Sequence, residues 1–196
     1  MERLVLARHG ESEYSAKGLL NGDSSVHVGL TAAGEEQARR LGRLLEPVDL
    51  CVTSALPRTR ETARIALGAR GVPIEVWPEL NDPPAGDYEG RHLDDYRVWA
   101  WSAGSQEPCP GGGESRVDSV RRYASAYRRL LERPEATVLA VLHALPIAYL
   151  VQALDGEPPA ARMDRPIEYA EPIRVDAAAL VPALEVLETW TSEPSW

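Results

Sequence analysis

Two histidines and two arginines follow short apolar runs of this sequence, in positions that suit the binding of a doubly charged anion. Arg8 and His9 come directly after one run, Ser54 and then Arg58 follow a second, and His143 follows a third. If these runs are parallel strands, their carboxyl ends meet at one edge of a sheet, where α/β proteins bind ligands. Helices that begin near Arg58 and His143 add unpaired N–H groups and partial positive charge. Phosphate is the commonest dianionic group, so we predict a phosphate site.

Each of these residues also has an ordinary structural interpretation. A single histidine at a strand end is more often a hydrogen-bonded structural residue, and a single arginine is usually solvated. Two histidines could bind zinc, but Cys51 and Cys109 give no CxxC, HxH or HExxH spacing, so we predict no metal and no cofactor. The joint placement of four such residues at one predicted sheet edge favours a functional site.

The charge balance of the chain excludes several classes of partner. Its 196 residues include 21 basic and 30 acidic side chains, which give a net charge of −9. We therefore predict no nucleic-acid or membrane partner, and positive charge that is local to the anion site. The longest mainly apolar stretch, 137–154, contains His143, Pro146 and Gln152 and is predicted to be a strand and a helix rather than a membrane span. With no export signal apparent, we expect a soluble cytoplasmic protein, either monomer or homodimer.

Short apolar runs alternate with helical patterns along most of the chain, which is typical of an α/β fold with a largely parallel sheet. We predict strands at residues 4–7, 48–53, 73–77 and 138–142, with an edge strand at 173–175. Helices are predicted from Thr31 to about 46, at 57–69, from 115 to before Pro134, after His143, and after Asp176, where Pro182 requires a late start or a kink.

Several motifs occur in an order that is shared with a known family of enzymes. They are Arg8-His9-Gly10-Glu11, Leu30-Thr31-x-x-Gly34-x-x-Gln37-Ala38, Ser54-x-Leu56-x-Arg58-x-x-x-Thr62-Ala63, Leu80-Asn81-Asp82, Gly86-Asp87-Tyr88-Glu89-Gly90, Gly113-Glu114-Ser115 and a late strand that ends at His143. Over residues 3–150 this series resembles the histidine phosphatase superfamily, which includes the cofactor-dependent phosphoglycerate mutases. The resemblance implies a three-layer αβα sandwich with a mostly parallel central sheet, and a phosphohistidine intermediate at His9.

The resemblance also implies roles for particular residues. As a neutral imidazole, His9 attacks phosphorus in line. Arg8, Arg58 and His143 hold the equatorial oxygens, where charge spreads in the transition state. This scheme needs no metal ion.

A carboxylic acid must protonate the leaving oxygen on the far side of phosphorus from the nucleophile. The resembling mutases have a glutamate after Leu-Asn, and the matching residue here is Asp82, one methylene shorter. In the alternative interpretation, Asp82 has a structural role as a turn residue before Pro83-Pro84. Glu11 is a competing acid or a residue that orients His9 or Arg58, and Glu89 is a third candidate for the acid.

The sequence departs from the family pattern in the loop after the first motif. Ser15, Leu19 and Asn21 stand where many members have Asn, Arg and Gln, although Asn21 and Gly22 remain candidates for phosphate binding. A proline-containing loop, 83–85, replaces residues that help the mutases bind phosphoglycerate, and Ala144-Leu145 replace Gly-Gly. We therefore predict a metal-independent phosphomonoesterase that hydrolyses a small phosphate ester through phospho-His9. The alternatives are a cofactor-dependent phosphoglycerate mutase and a non-catalytic phospholigand or protein-binding module.

Residues 80–113 have a weaker pattern, which we interpret as a site-covering excursion within a single domain spanning 1–196. Its aromatic residues are predicted either to line the leaving-group pocket, where they would suit a sugar or ring-bearing ester, or to form a small core under a long loop: Tyr88, Tyr96, Trp99 and Trp101. Arg91 and Arg97 are predicted either to meet a carboxylate or second phosphate or to be solvated.

Overall fold

The computed structural model describes residues 1–163 and 165–196, and within them the chain forms five strands and seven helices. The strands are β1 (Arg3–Arg8), β2 (Leu50–Thr53), β3 (Ile74–Val76), β4 (Thr137–Leu142) and β5 (Ile173–Asp176). The helices are α1 (Glu13–Ala16), α2 (Ala32–Leu44), α3 (Pro57–Leu67), α4 (Leu93–Ala100), α5 (Arg116–Leu131), α6 (Ala144–Leu154) and α7 (Ala177–Ser192). Short 3₁₀ turns lie at Pro78–Leu80 and Gly86–Tyr88.

The strands form one sheet in the order β3-β2-β4-β1-β5. The first four are parallel, and β5 pairs antiparallel with β1 at the edge. In register, Arg8 lies opposite Leu142 on β4, and Val141 lies opposite Thr53 on β2. The three central strands therefore end side by side, as predicted, and the residues that follow them share one edge of the sheet.

The alternation of side chains along β1 fills two separate cores. Leu4 and Leu6 pack with apolar residues of α5, α6 and α7, whereas Val5 and Ala7 pack with those of α2 and α3. Successive strand residues point to opposite faces, so helices cover both faces of the sheet. The predicted three-layer αβα sandwich is confirmed. Each fully buried leucine contributes about 1.5–3 kcal/mol to this packing.

The predicted helix starts agree with the structure, and the ends differ slightly. The Thr31 hydroxyl accepts a hydrogen bond from the backbone N–H of Gly34 at 3.0 Å. Pro57 opens α3, and the Ser115 hydroxyl accepts from the N–H of Asp118 at 3.1 Å. Helices α2 and α3 each end about two residues earlier than predicted. Helix α7 begins directly after Asp176, the predicted N-cap residue, so the late start, one of the two alternatives predicted from Pro182, is wrong. This helix buries an apolar stripe against the core, which offsets the one hydrogen bond that the proline removes.

The excursion at 80–113 contains the 86–88 turn and α4, which the sequence did not predict. Tyr88, Tyr96 and Trp99 pack together there, with ring centroids 5.5–6.0 Å apart. Within the described residues, no helix combines the length and apolar character needed to cross a membrane. Both cysteines are buried and free, and burial raises the pKa of the Cys51 thiol to about 12, so this thiol packs as a small apolar side chain.

Candidate active site

His9 follows β1 and is held as a neutral imidazole. Its side chain is buried, and Nδ1 lies 2.7 Å from the carbonyl oxygen of Gly10. Because a carbonyl can only accept, Nδ1 carries the proton and the lone pair lies on Nε2, where Arg58 Nε donates to it at 3.1 Å. Burial, and then the charges of Arg58 and Arg8, hold the pKa of His9 well below its ordinary value of 6.5. The ring is therefore a neutral potential nucleophile.

Two glycines let α2 approach the backbone beside His9. A Cβ atom on Gly10 would collide with the carbonyl oxygen of Gly34, and one on Gly34 would collide with that of Glu11. The Gly10 N–H donates to the Thr62 hydroxyl of α3 at 3.0 Å. The loop that follows the histidine is thus fixed by two helices.

Arg58, in the first turn of α3, connects the residues at this edge. Its buried guanidinium donates from Nη1 to Asn21 Oδ1 at 2.7 Å and from Nη2 to the Asn21 carbonyl oxygen at 2.9 Å. Nη2 also lies 3.0 Å from Asp82 Oδ2 and 3.2 Å from His143 Nδ1. The arginine therefore contacts the nucleophile candidate, the acid candidate and the second histidine.

Arg8 offers a further buried donor. Its Nη1 donates to the carbonyl oxygen of Ile167 at 2.8 Å, and its guanidinium lies 3.8 Å from the centroid of the Tyr169 ring. In the described part of the chain its buried Nε has no hydrogen-bond partner. A buried donor without a partner costs free energy that a bound anion would recover. The position of Tyr169 was not predicted, because it follows a Pro-rich linker with no periodic pattern.

His143, the N-cap residue of α6, completes the cluster of basic groups. Its Nε2 lies 2.8 Å from the Ser54 hydroxyl, which in turn lies 2.9 Å from the Thr59 hydroxyl. The ring centroids of His143 and His9 are 5.2 Å apart. Burial and the charge of Arg58 lower the pKa of His143 well below 6.5, so this imidazole is also neutral. Nδ1 faces both Arg58 Nη2 and Asp82 Oδ2, and Nε2 faces the Ser54 hydroxyl, so each neutral tautomer of His143 has a partner at both nitrogens.

Asp82 lies at the same site as the two histidines. Its carboxylate oxygen is 3.3 Å from His143 Nδ1, and its side chain is 27% exposed. Burial at the base of the cleft raises the pKa of Asp82 above 3.8, more than the charges of Arg58 and Arg8 lower it. This carboxyl group therefore holds a proton at higher pH than an ordinary aspartate.

Helix α5 anchors the loop that carries Asp82. Arg122 donates from Nη1 to the carbonyl oxygens of Glu79 and Asn81 at 2.6 and 3.0 Å, and the Tyr123 hydroxyl donates to that of Asn81 at 3.0 Å. Glu114 in turn pairs with Arg122 at 2.5 Å. Sequence reasoning assigned no role to Arg122 or Tyr123. The Gly113-Glu114-Ser115 motif was the available signal, since it precedes this helix.

The other predicted phosphate-binding groups have protein partners. Both oxygens of Asn21 accept from Arg58, while its amide nitrogen donates to the Asp23 carbonyl oxygen at 3.0 Å. The Gly22 N–H donates to the carboxylate of Glu89, with its nitrogen 2.9 Å from the nearer oxygen. Asn21 thus orients Arg58, and Gly22 joins its loop to the excursion.

The two alternative acids lie in structural contacts. Glu11 accepts from the Thr31 hydroxyl at 2.8 Å, at the start of α2. Glu89 accepts from the N–H groups of Gly22 and Ala85. Neither glutamate is among the described residues that line the cleft, whereas Asp82 is.

A cleft of about 460 Å³ lies beside the cluster formed by Arg58, Asp82 and the two buried histidines. Arg8, Arg58 and Asp82 lie in its wall, together with Tyr96 and Trp101 of the excursion. Tyr96 also belongs to the small aromatic core described above, so both interpretations of the aromatic residues hold in part. A neutral histidine, fixed cationic donors and a protonatable carboxyl group can together bind a phosphoryl dianion and transfer it to nitrogen.

Comparison with known proteins identifies the family of this chain. A model of the histidine phosphatase superfamily (branch 1) matches residues 4–188. The chain belongs to this superfamily, and the resemblance seen in its motifs is confirmed.

Two kinds of named relative are similar to the chain. The adenosylcobalamin/alpha-ribazole phosphatase of Escherichia coli (strain K12) is 36% identical over 165 residues, which cover 80% of each chain. A 2,3-bisphosphoglycerate-dependent phosphoglycerate mutase of Methylobacterium sp. (strain 4-46) is 37% identical over 174 residues, covering 80% of this chain and 82% of the relative. The solved alpha-ribazole phosphatase from Shigella flexneri has a TM-score of 0.78 and 32% identity, covering 89% of this chain and 90% of that one.

Proposed function

We propose that this protein is a metal-independent phosphomonoesterase that acts on a small phosphate ester through phosphohistidine at His9. The observation that carries the proposal is the geometry of His9. Its Nε2 lone pair lies 3.1 Å from Arg58 Nε, in the cluster that holds Asp82 and His143. The similarity to alpha-ribazole phosphatases supports the same class of reaction and favours a substrate with a ring-bearing leaving group.

In the first step, Nε2 of His9 attacks phosphorus, and the bond between phosphorus and the leaving oxygen breaks. That oxygen takes the proton of Asp82 as it departs, so a neutral alcohol leaves and the carboxylate remains. Arg8, Arg58 and His143, in the neutral tautomer that carries its proton on Nδ1 and accepts from the Ser54 hydroxyl at Nε2, would donate to the equatorial oxygens. Hydrogen bonds to Asn21 and to the Ile167 carbonyl oxygen hold the guanidinium groups of Arg58 and Arg8 at this edge of the sheet.

In the second step, water attacks the phosphorus of phospho-His9 and the bond between Nε2 and phosphorus breaks. The Asp82 carboxylate takes a proton from this water, which restores the acid and releases inorganic phosphate. The lone pair returns to Nε2, while the Gly10 carbonyl continues to hold the proton on Nδ1. The arginine charges stabilise the negative charge on the phosphoryl oxygens in both steps, and for this reason we propose a mechanism without a metal ion.

The test is phosphate release from a panel of phosphomonoesters, with EDTA present, from about pH 5 to about pH 8. The wild type is expected to release phosphate and the His9→Ala variant is not. His27→Ala is the matched control. The His27 side chain is 77% exposed, so this variant should retain activity. An acid-labile phosphoenzyme should be trapped in the wild type alone. Retention of most activity in His9→Ala would refute the proposal.

A phosphoglycerate mutase is the second candidate function, favoured by the 37% identity to the Methylobacterium enzyme. A mutase must keep phospho-His9 from water until a bound product is phosphorylated again. Conversion of 3-phosphoglycerate to 2-phosphoglycerate, primed with 2,3-bisphosphoglycerate, separates the two activities. Isomerisation faster than phosphate release would assign the mutase function instead.

A further inference from the structure

The cleft has a charge opposite to that of the whole protein. The chain carries a net charge of −9, yet the described residues of the cleft include one acid, Asp82, and five arginines: Arg8, Arg58, Arg97, Arg116 and Arg165. A single phosphoryl dianion accounts for Arg8 and Arg58, the two that lie beside His9. The remaining positive charge indicates a ligand with a further negative group.

Two of the remaining arginines are already neutralised at the mouth of the cleft. Arg97 pairs with Asp94 at 2.9 Å, and Arg165 pairs with Asp155 at 2.8 Å. All four side chains are at least 44% exposed, so solvent screens them and they contribute little to binding a ligand.

Arg116, the first residue of α5, is in a different environment. It is partly buried, and its guanidinium carbon lies 5.4 Å from the centroid of the Tyr96 ring. Among the residues that the structure describes, no carboxylate lies within 4.0 Å of it. Burial raises the pKa of Tyr96 to about 12 and also raises that of Tyr149, so both remain neutral phenols. The two tyrosines therefore do not compensate the charge of Arg116, and Asp82 acts on that charge from beyond 4.0 Å.

The position of Arg116 indicates which part of the substrate carries the group that it would bind. Its neighbours Tyr96 and Tyr149 belong to α4 and α6 and line the cleft, and the acid whose charge acts on Arg116 is Asp82, the proposed proton donor to the leaving oxygen. The groups proposed to hold the phosphoryl oxygens contact His9 and Arg58 at the sheet edge instead. A group bound by Arg116 therefore lies on the alcohol that leaves.

We infer that Arg116 binds a second anionic group, a carboxylate or a phosphate, on the leaving group of the substrate. The inference rests on the proposed phosphomonoesterase function and narrows it to esters of anionic alcohols. The guanidinium fork suits either group, since it donates two parallel hydrogen bonds to carboxylate or phosphate oxygens. The neighbouring tyrosine rings exclude water and strengthen the pairing.

Matched pairs of ligands test the role of Arg116. Glycerol 3-phosphate and 3-phosphoglycerate differ by the replacement of a hydroxymethyl group with a carboxylate. Fructose 6-phosphate and fructose 1,6-bisphosphate differ by a second phosphate. Wild-type kcat/KM should favour the anionic member of at least one pair by roughly tenfold to a hundredfold, the strength of one charge-assisted hydrogen bond. The pair with the larger preference identifies the group as carboxylate or phosphate.

Variants of Arg116 separate binding from structure. Arg116→Met should abolish the preference, mainly through a higher KM for the anionic member, and Arg116→Lys should restore part of it. Arg121→Met, on the exposed face of the same helix, should keep the wild-type ratio. A preference that survives Arg116→Met, or equal losses for both members of each pair, would overturn the inference in favour of a structural role for Arg116.

Calorimetric binding in the His9→Ala background keeps this test independent of turnover. The same ligands should bind with the same ratio of Kd values, and Arg116→Met should remove that ratio. Equal affinities for the two members of each pair, with and without the second anionic group, would reject the inference whatever the enzyme assay shows. Conversely, full turnover by His9→Ala would reject the proposed mechanism while leaving the measured role of Arg116 intact.

Discussion

Replacement of Asp82 with asparagine keeps the shape of the side chain but removes the proton that the proposed acid donates. General acid catalysis accelerates a step by about 10²–10⁴-fold, which corresponds to about 2.7–5.4 kcal/mol in the barrier. The amide can still lie beside Arg58 and His143, which are 3.0 and 3.3 Å from the carboxylate oxygen. We therefore expect kcat for an alkyl phosphate to fall by about 10²–10⁴-fold, with a change in KM of less than about tenfold.

The identity of the leaving group distinguishes loss of an acid from loss of structure. Asp82→Asn should reduce hydrolysis of glycerol 3-phosphate far more than that of p-nitrophenyl phosphate, because nitrophenolate leaves without a proton. Asp87→Asn serves as the matched control on the exposed part of the same excursion. Glu11→Gln and Glu89→Gln test the alternative acids, and neither should produce a loss that depends on the leaving group. Equal losses for both esters in Asp82→Asn, or a selective loss in either glutamine variant, would refute the reasoning.

Two further predictions concern pH and the anchor of the acid loop. The pKa of His9 lies well below 6.5 and that of Asp82 lies above 3.8, so kcat/KM should fall in acid as His9 gains a proton and fall at higher pH as Asp82 loses one; a pH profile of Asp82→Asn that keeps the second fall would contradict this assignment. Arg122→Met removes two hydrogen bonds to the backbone of the acid loop, and should cost about 1.5–3 kcal/mol in urea unfolding. Because this change loosens the acid loop, Arg122→Met should also slow the hydrolysis of glycerol 3-phosphate more than that of p-nitrophenyl phosphate. Arg121→Met should change neither the stability nor the ratio of the two rates.

The parts of the fold that sequence reasoning predicted are those where burial and periodicity coincide. Strands β1 and β4 are apolar runs covered on both faces, and capping residues mark the starts of α2 and α5. The start of β2 was placed two residues early because Val48 is buried outside the ladder, and burial gives the same apolar signal with or without pairing. Helix α4 was missed because Val98, 72% exposed, interrupts its apolar stripe.

The site could be predicted as far as strand order determines it. Parallel strands bring the residues after β1, β2 and β4 to one edge whatever the rest of the chain does, so Arg8, His9 and His143 could be grouped from spacing alone. Contacts such as Arg8 with Tyr169 join segments about 160 residues apart in the chain, as the 3.8 Å stacking illustrates. A single sequence has no local pattern that reports such contacts, because each depends on how a loop crosses the finished sheet.

Arg58 couples substrate binding to activation of the nucleophile in the proposed mechanism. Its Nε–H donates to the Nε2 lone pair of His9, while Nη2 donates to the carboxylate of Asp82. A lone pair that accepts this hydrogen bond cannot also attack phosphorus. When a phosphoryl oxygen accepts from Arg58 instead, Nε2 is freed, and the negative charge that arrives beside Asp82 favours its protonated form. Because one arginine contacts both groups, the same anion would expose the nucleophile and favour the protonated acid in the proposed mechanism.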